Sequence, residues 1–372
     1  MDPDAIARRF PLISRSRPPG RCLDTRLTEL REIMRESGTA DDHTRMTRAG
    51  EVCNKAALIA SDCGATDLAR NLCWRQHDVF DAARPLPAQA AKLALQPVLN
   101  IPRQLIREGD GATAYQMLDR LYRAARDRTD AELPGRRISL RDVTCAPDDH
   151  RTVCTLLWAA LLADGARALA LAGRWQDAAK HAAAHRGVGT RLLDGRQVTI
   201  LSLADRGEHD RAAAMVEDSV LTQPWEQTVA SLLLVYCRRG AGDDIEQDAA
   251  AMLDHALWLV EQAEPSTAVF RTRVGLTALD LTDRCDCAQV PRLRAALIAA
   301  ASADAYAARE ALAHPVLRPT MTTVQEQAMV ALVEASGLGR GAIPQELLDN
   351  LMTSLALAEN QLRALLDRPR SP

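Results

Sequence analysis

The sequence predicts an all-α protein, and three observations carry that prediction. Alanine, the strongest helix former, supplies 65 of the 372 residues, while aromatic residues make up 3%. The Val, Ile, Tyr, Phe and Thr runs that build strands are scarce. From Asp24 onward apolar residues recur three and four apart, the period of an amphipathic helix. Hydrophobic residues reach 47% and charged ones 26%, a composition that folds rather than one that stays disordered.

The elements follow in order. Residues 1–23 hold Arg8, Arg9, Arg15, Arg17 and Arg21 against Asp2 and Asp4, and Pro18-Pro19-Gly20 breaks regular structure. They read as a flexible N-terminal arm. Residues 24–149 read as degenerate helical pairs, 43–62 with 65–82 around Gly64, and 88–108 with 111–127 around Gly109 and Gly111. Residues 128–149 form a non-helical insertion in which Ile138, Leu140 and Val143 suit a short hairpin. Asp148-Asp149 then N-caps the next helix. Residues 150–263 form a block of their own. Residues 264–372 begin as short helices broken at Cys285–Cys287, Pro315 and Pro319. They end in a long capping helix from Pro344 to about Asp367. Its Leu348, Leu351, Leu355, Ala358, Leu362 and Leu365 make a heptad-spaced seam. The seam is expected to cap the helices at 320–336, with pairing to a second copy as the alternative, so the chain is a monomer or a homodimer.

An internal repeat is the clearest signal. Leu171-Ala-Gly-Arg-Trp-Gln-Asp-Ala-Ala179 aligns with Asp205-Arg-Gly-Glu-His-Asp-Arg-Ala-Ala213, placing Gly173 and Gly207 34 residues apart. A further step of that length reaches Ala241, between Gly240 and Gly242. Helices at 209–222, 225–239 and 244–263 fit the same frame. On these residues the block 165–263 resembles the tetratricopeptide-like (TPR-like) helical-repeat proteins, whose repeat is a 34-residue helix–turn–helix. Trp175 holds the aromatic position after the turn, His209 replaces it in the next repeat, and Pro224 is the end-of-repeat proline. The resemblance implies an α-solenoid of antiparallel helix pairs whose concave groove binds a partner. It carries no catalytic residues.

Charge and cysteines narrow the classes. A net charge of −3, from 46 basic and 49 acidic residues, argues against a nucleic-acid binder. The opening residues lack the apolar core of a signal peptide, and no run of 18 apolar residues suits a membrane. Nine scattered cysteines then read as reduced thiols in a cytoplasmic protein. No phosphate-binding glycine loop and no nucleophile signature occurs. His181 and His185 read as surface residues one helical turn apart, without a third ligand, and Cys285-Asp-Cys287 as a turn. No metal or cofactor is expected.

The candidate binding residues lie on two helices. Lys92, Gln96, Asn100, Arg103 and Arg107 share one helical face, which Pro97 and Pro102 are expected to bend. Arg75 and His77 lie on the preceding helix. An arginine cluster, Arg120, Arg123, Arg126, Arg128, Arg136, Arg137 and Arg141, surrounds the insertion and is expected to be solvated and ion-paired. The leading reading is a protein-interaction or regulatory adaptor that holds a protein or peptide partner in its groove, without catalysis. The alternative is a helical-repeat protein that takes a small or phosphorylated ligand, with or without catalysis, through the 75–107 face and the insertion.

Overall fold

Helix-forming stretches punctuated by glycine and proline dictate a chain of short helices. The computed structural model describes residues 9–282 and 287–367. Among them are sixteen α-helices and one hairpin. The helices are α1 Leu23–Glu36, α2 Asp42–Asp62, α3 Thr66–Asp81, α4 Ala88–Glu108, α5 Gly111–Asp127 and α6 Pro147–Leu171. Next come α7 Trp175–Ala184, α8 Asp194–Asp205, α9 His209–Glu217, α10 Pro224–Ala241 and α11 Glu246–Val260. The last five are α12 Ala268–Leu281, α13 Gln289–Ala301, α14 Ala305–Ala313, α15 Thr323–Ser336 and α16 Gln345–Leu366. Strands β1 Asp130–Leu133 and β2 Arg136–Ser139 pair antiparallel, with Ala131 opposite Ile138.

The chain divides into two units. Unit I comprises Met1–Cys22 and Ala166–Ser336, and unit II comprises Leu23–Gly165 and Gly337–Pro372. In unit I the chain reverses at Gly173, Gly207 and Gly242, each with φ between 70° and 86°, a conformation glycine adopts without a Cβ clash. The third reversal uses Gly242 rather than Gly240. Gly240 stays helical, and the His209 ring pressed against it leaves no room for a side chain there. The two helices of each hairpin from α8 to α15 pack together. The first helices also stack in a row, α8 on α10, α10 on α12 and α12 on α14, while α11 stacks on α13. Helix α9 ends at Glu217, short of the expected 222, because Val220 leaves the helical path to bridge Arg191.

In unit II, α1 to α5 pack in chain order, and α2 also reaches α4. Helix α2 buries Ala49, Val52, Cys53, Ala56, Ala57, Ile59 and Ala60, too wide an arc for one neighbour to cover. Helix α16 completes that cover by packing on α1, α2 and α3. Its Leu351, Leu355, Ala358, Leu362 and Leu365 are buried, while Leu348 at the near end is half-buried. The seam therefore covers the N-terminal helices of its own unit, not the segment 320–336, whose α15 packs on α14 in unit I. The loop before α16 fastens the arrangement, because Gly339 and Gly341 donate to the Asp62 and Cys63 carbonyls (2.8 and 2.7 Å) at the end of α2. Those are carbonyls the helix itself leaves unpaired.

Other expectations meet the structure locally. The insertion holds the hairpin, with Ile138, Leu140 and Val143 buried. It ends at Ala146, since Pro147 opens α6 and puts Asp148 and Asp149 inside the first turn rather than at its cap. Helix α4 runs unbroken through Pro97 and Pro102. His181 is buried rather than on the surface, and the His185 ring stacks on it at 4.4 Å, with Nδ1 3.0 Å from the His181 carbonyl. Cys53, Cys63, Cys73 and Cys237 are buried free thiols. Burial pushes Cys53, Cys73 and Cys237 up to about 12, so they stay protonated. The Cys285–Cys287 turn begins outside the described residues. Among the described residues one helix, α6, is long and apolar enough to cross a membrane by length and composition. The same traits mark a core helix, and Val153, Leu157, Leu161 and Leu169 of α6 are buried.

Candidate functional site

The stripe on α4 faces α2. Gln96 Oε1 accepts from Asn54 Nδ2 (3.2 Å) and Asn100 donates to Asn54 Oδ1 (2.9 Å). Arg107 donates to Ser61 Oγ at 2.8 Å. Arg103 turns to α6, where its Nε donates to the buried Asp164 carboxylate at 2.8 Å. Lys92 is half-buried at the start of the stripe. On α3, Arg75 ion-pairs with buried Glu359 of α16 at 2.9 Å. His77 is buried, with Nδ1 3.0 Å from the Ala94 carbonyl and Nε2 3.8 Å from Asp81. Burial pulls its pKa below the ordinary imidazole value, which keeps the ring neutral and makes Nδ1–H the donor. The partners of these residues on other helices thus lie on α2, α4, α6 and α16, and the seven do not converge on one point.

The hairpin docks beside them. Arg136 pairs with Asp78 and stacks over Trp74, 4.8 Å from the ring centre. Arg84 donates to the Ser139 carbonyl and pairs with Asp81, both at 2.6 Å. The arginine cluster is largely consumed locally. Arg123 meets Asp119, Arg126 meets Asp127, and Arg137 and Arg141 share Asp130. Those two guanidinium groups hold the half-buried Asp130 carboxyl down to about 2.

Unit I holds something the sequence did not announce, an extended segment lying on its row of first helices. From Arg9 to Cys22 the arm is docked, with Phe10 and Leu12 3% and 2% exposed. Gln197 on α8 grips Leu12 by both backbone groups. Leu12 N–H donates to Oε1 (2.8 Å), and Nε2 donates to Leu12 O (2.9 Å) and to Leu192 O (3.0 Å). Asp194, one turn earlier on α8, accepts from Arg15 at 2.9 Å. Arg9 pairs with buried Asp280 near the end of α12. Arg17 N–H donates to the Ser266 carbonyl (2.9 Å), and its guanidinium lies 3.5 Å over the Tyr306 ring centre of α14. Gly20 N–H donates to Asp304 Oδ2 (2.6 Å) and its carbonyl accepts from Ala305 N (2.9 Å). A Cβ at Gly20 would sit 2.8 Å from Tyr306, so only glycine fits there.

The electrostatics match the geometry. Residues 9–22 carry four arginines and no acid, and they are met by Asp194, Asp280 and Asp304. Burial pushes the Asp280 carboxyl up, but His314 and Arg9 beside it outweigh that and hold Asp280 below the usual carboxylate range. Leu317 N–H donates to His314 Nδ1 (3.1 Å), which leaves Nε2 to face Asp280 Oδ1 at 3.2 Å. Past Pro19 the arm borders a cavity of about 760 Å³ floored by Ala295, Ala296, Ala299 and Ala300 of α13. Its Arg271 is committed to the end of α11, donating to the Val260 and Glu264 carbonyls at 2.6 and 3.1 Å.

Gln197, Asp194, Asp280 and Asp304 escaped sequence reading because a pairing between residues almost 200 or more apart leaves no periodic trace. The one local signal is a buried glutamine amid the apolar residues Val198, Ile200 and Leu201. Among the described residues no group of three or more His, Cys, Asp or Glu side chains is placed to hold a metal ion. No protein-family model, curated protein or solved structure matches the chain.

Proposed function

We propose that this protein is a TPR-like helical-repeat interaction protein, an adaptor whose unit I binds an extended segment of protein chain along its row of first helices. One observation carries the reading: Gln197 holds both backbone groups of Leu12, in a segment that is neither helix nor strand. A side-chain amide that reads N–H and C=O together recognises a main chain whatever its side chains, as sheet-edge recognition does. The stacked first helices and the 34-residue step between Gly173 and Gly207 support a solenoid with a concave partner face. The neighbouring cavity extends that face with small side chains.

The test is peptide display against the full chain carrying Leu12→Asp, which frees the Gln197 position. Selected peptides should bind with micromolar affinity, about −8 kcal/mol, and lose binding on adding Gln197→Leu. Recovery of no peptide from a diverse library by a folded chain would sink the proposal.

A further inference from the structure

We infer that the row of first helices in unit I is a receptor for a basic extended segment of another protein, patterned Arg–aromatic–x–Leu–x–x–Arg, for which the chain's own arm is a displaceable stand-in. The inference rests on the peptide-binding reading and adds the occupant's chemistry and its competition with residues 9–22.

Three features specify that occupant. The first is the buried carboxylate of Asp280. It receives Arg9 while its other oxygen faces His314, so a segment replacing the arm without a cation there would leave a buried charge short of one of its two partners. The second is Gln197, fully buried and satisfied only while a main chain lies beside it. Leu12 is the residue that this clamp holds, and Phe10, two residues before it, is buried as well, which places an aromatic two residues ahead of the leucine. The third is the incomplete fit of the arm. Arg15 reaches Asp194 Oδ2, but Oδ1 is buried with no hydrogen-bond partner among the described residues. A guanidinium engaging both oxygens makes the stronger bidentate pair. The receptor face therefore rewards a segment that matches the arm's pattern and seats its second arginine better.

Fluorescence anisotropy with synthetic peptides decides the matter. The probe is residues 9–22, labelled, and its control carries Arg9→Glu and Arg15→Glu. Each is titrated into the full wild-type chain, the chain with Phe10→Asp and Leu12→Asp, and a milder chain with Arg9→Ala and Arg15→Ala. The last keeps the apolar anchors should the first fail to fold. The expected result is saturable binding of the probe to the arm-weakened chains, about tenfold or more tighter than to wild type, and about tenfold or more weaker binding of the control. Equal binding of probe and control would overturn the basic pattern while leaving the peptide-binding reading standing. Equal binding of the probe to wild-type and weakened chains would overturn competition by the arm. No binding of either peptide by folded weakened chains would overturn the inference, and the display experiment then decides separately whether the groove takes peptides at all. A wild-type dimer in light scattering that both arm-weakened chains lose would show the occupant to be a second copy's arm, and would also overturn it.

Discussion

Glu226 shows how one residue organises a turn of unit I. It lies at the third position of α10 and is fully buried. It accepts from Thr222 N (2.6 Å), Gln223 N (2.8 Å) and Arg191 Nη2 (2.7 Å). Burial raises its pKa, but the Thr222, Gln223 and Arg191 hydrogen bonds win and hold it below the ordinary glutamate value. The sign follows directly. A depressed folded pKa stabilises the protein above the unfolded value of about 4.3, and that contribution disappears as pH falls through the folded value. Glu226→Gln should therefore lower stability by about 1–3 kcal/mol at neutral pH, with the gap to wild type narrowing in acid, as urea titrations at pH 7 and pH 4 would show. Among single residues the sequence exposed those with a local job. Gly173 and Gly207, read as turns from their 34-residue spacing, are turns, because freedom to adopt a positive φ is a property of the residue itself. Arg75 and His77 were conspicuous as residue types, but their partners, Glu359 and the Ala94 carbonyl, lie on other helices and left no mark nearby.

At the scale of elements, α16 carries the largest consequence. Its leucines were legible as a seam because heptad spacing is local, whereas the surface that covers them was not. That surface is formed by α1, α2 and α3, roughly 300 residues earlier in the chain. Helices α4 and α5 fall on the predicted residues 88–108 and 111–127, since Pro87 opens the first and Gly109 and Asp110 separate the two. Leu355 is fully buried, and its replacement by aspartate puts an unpaired carboxylate where about 2 kcal/mol of apolar burial had been. Leu355→Asp should cost about 4 kcal/mol or more, read from the guanidinium midpoint. The loss should fall on unit II, with protection from hydrogen exchange collapsing in α1, α2 and α3.

For the whole molecule, the arm is the feature that joins distant parts of one unit. It touches α8, α12 and α14, and so ties α8 to two helices that it otherwise meets only through α10 and the helices beyond it. Leu12→Asp should raise hydrogen exchange at α8, α12 and α14 while leaving α1 to α5 unchanged. A uniform increase through all sixteen helices would show instead that the arm stabilises the fold generally. The helical class and most element boundaries were readable because each is set within one or two turns of chain. The arm's docking was not, because an extended segment has no period and its complement is assembled only once four hairpins have stacked.

The loop that fastens α16 to the end of α2 also imposes an order on synthesis. Helices α1 to α3 leave the ribosome well before α16, the helix that covers them, is made. At roughly 5–20 residues per second, their apolar surface waits for about 15 to 60 s, long enough for a nascent-chain chaperone to engage it. The segment 166–336 is complete before α16 exists. Unit I therefore matures first, although unit II begins the main body of the chain.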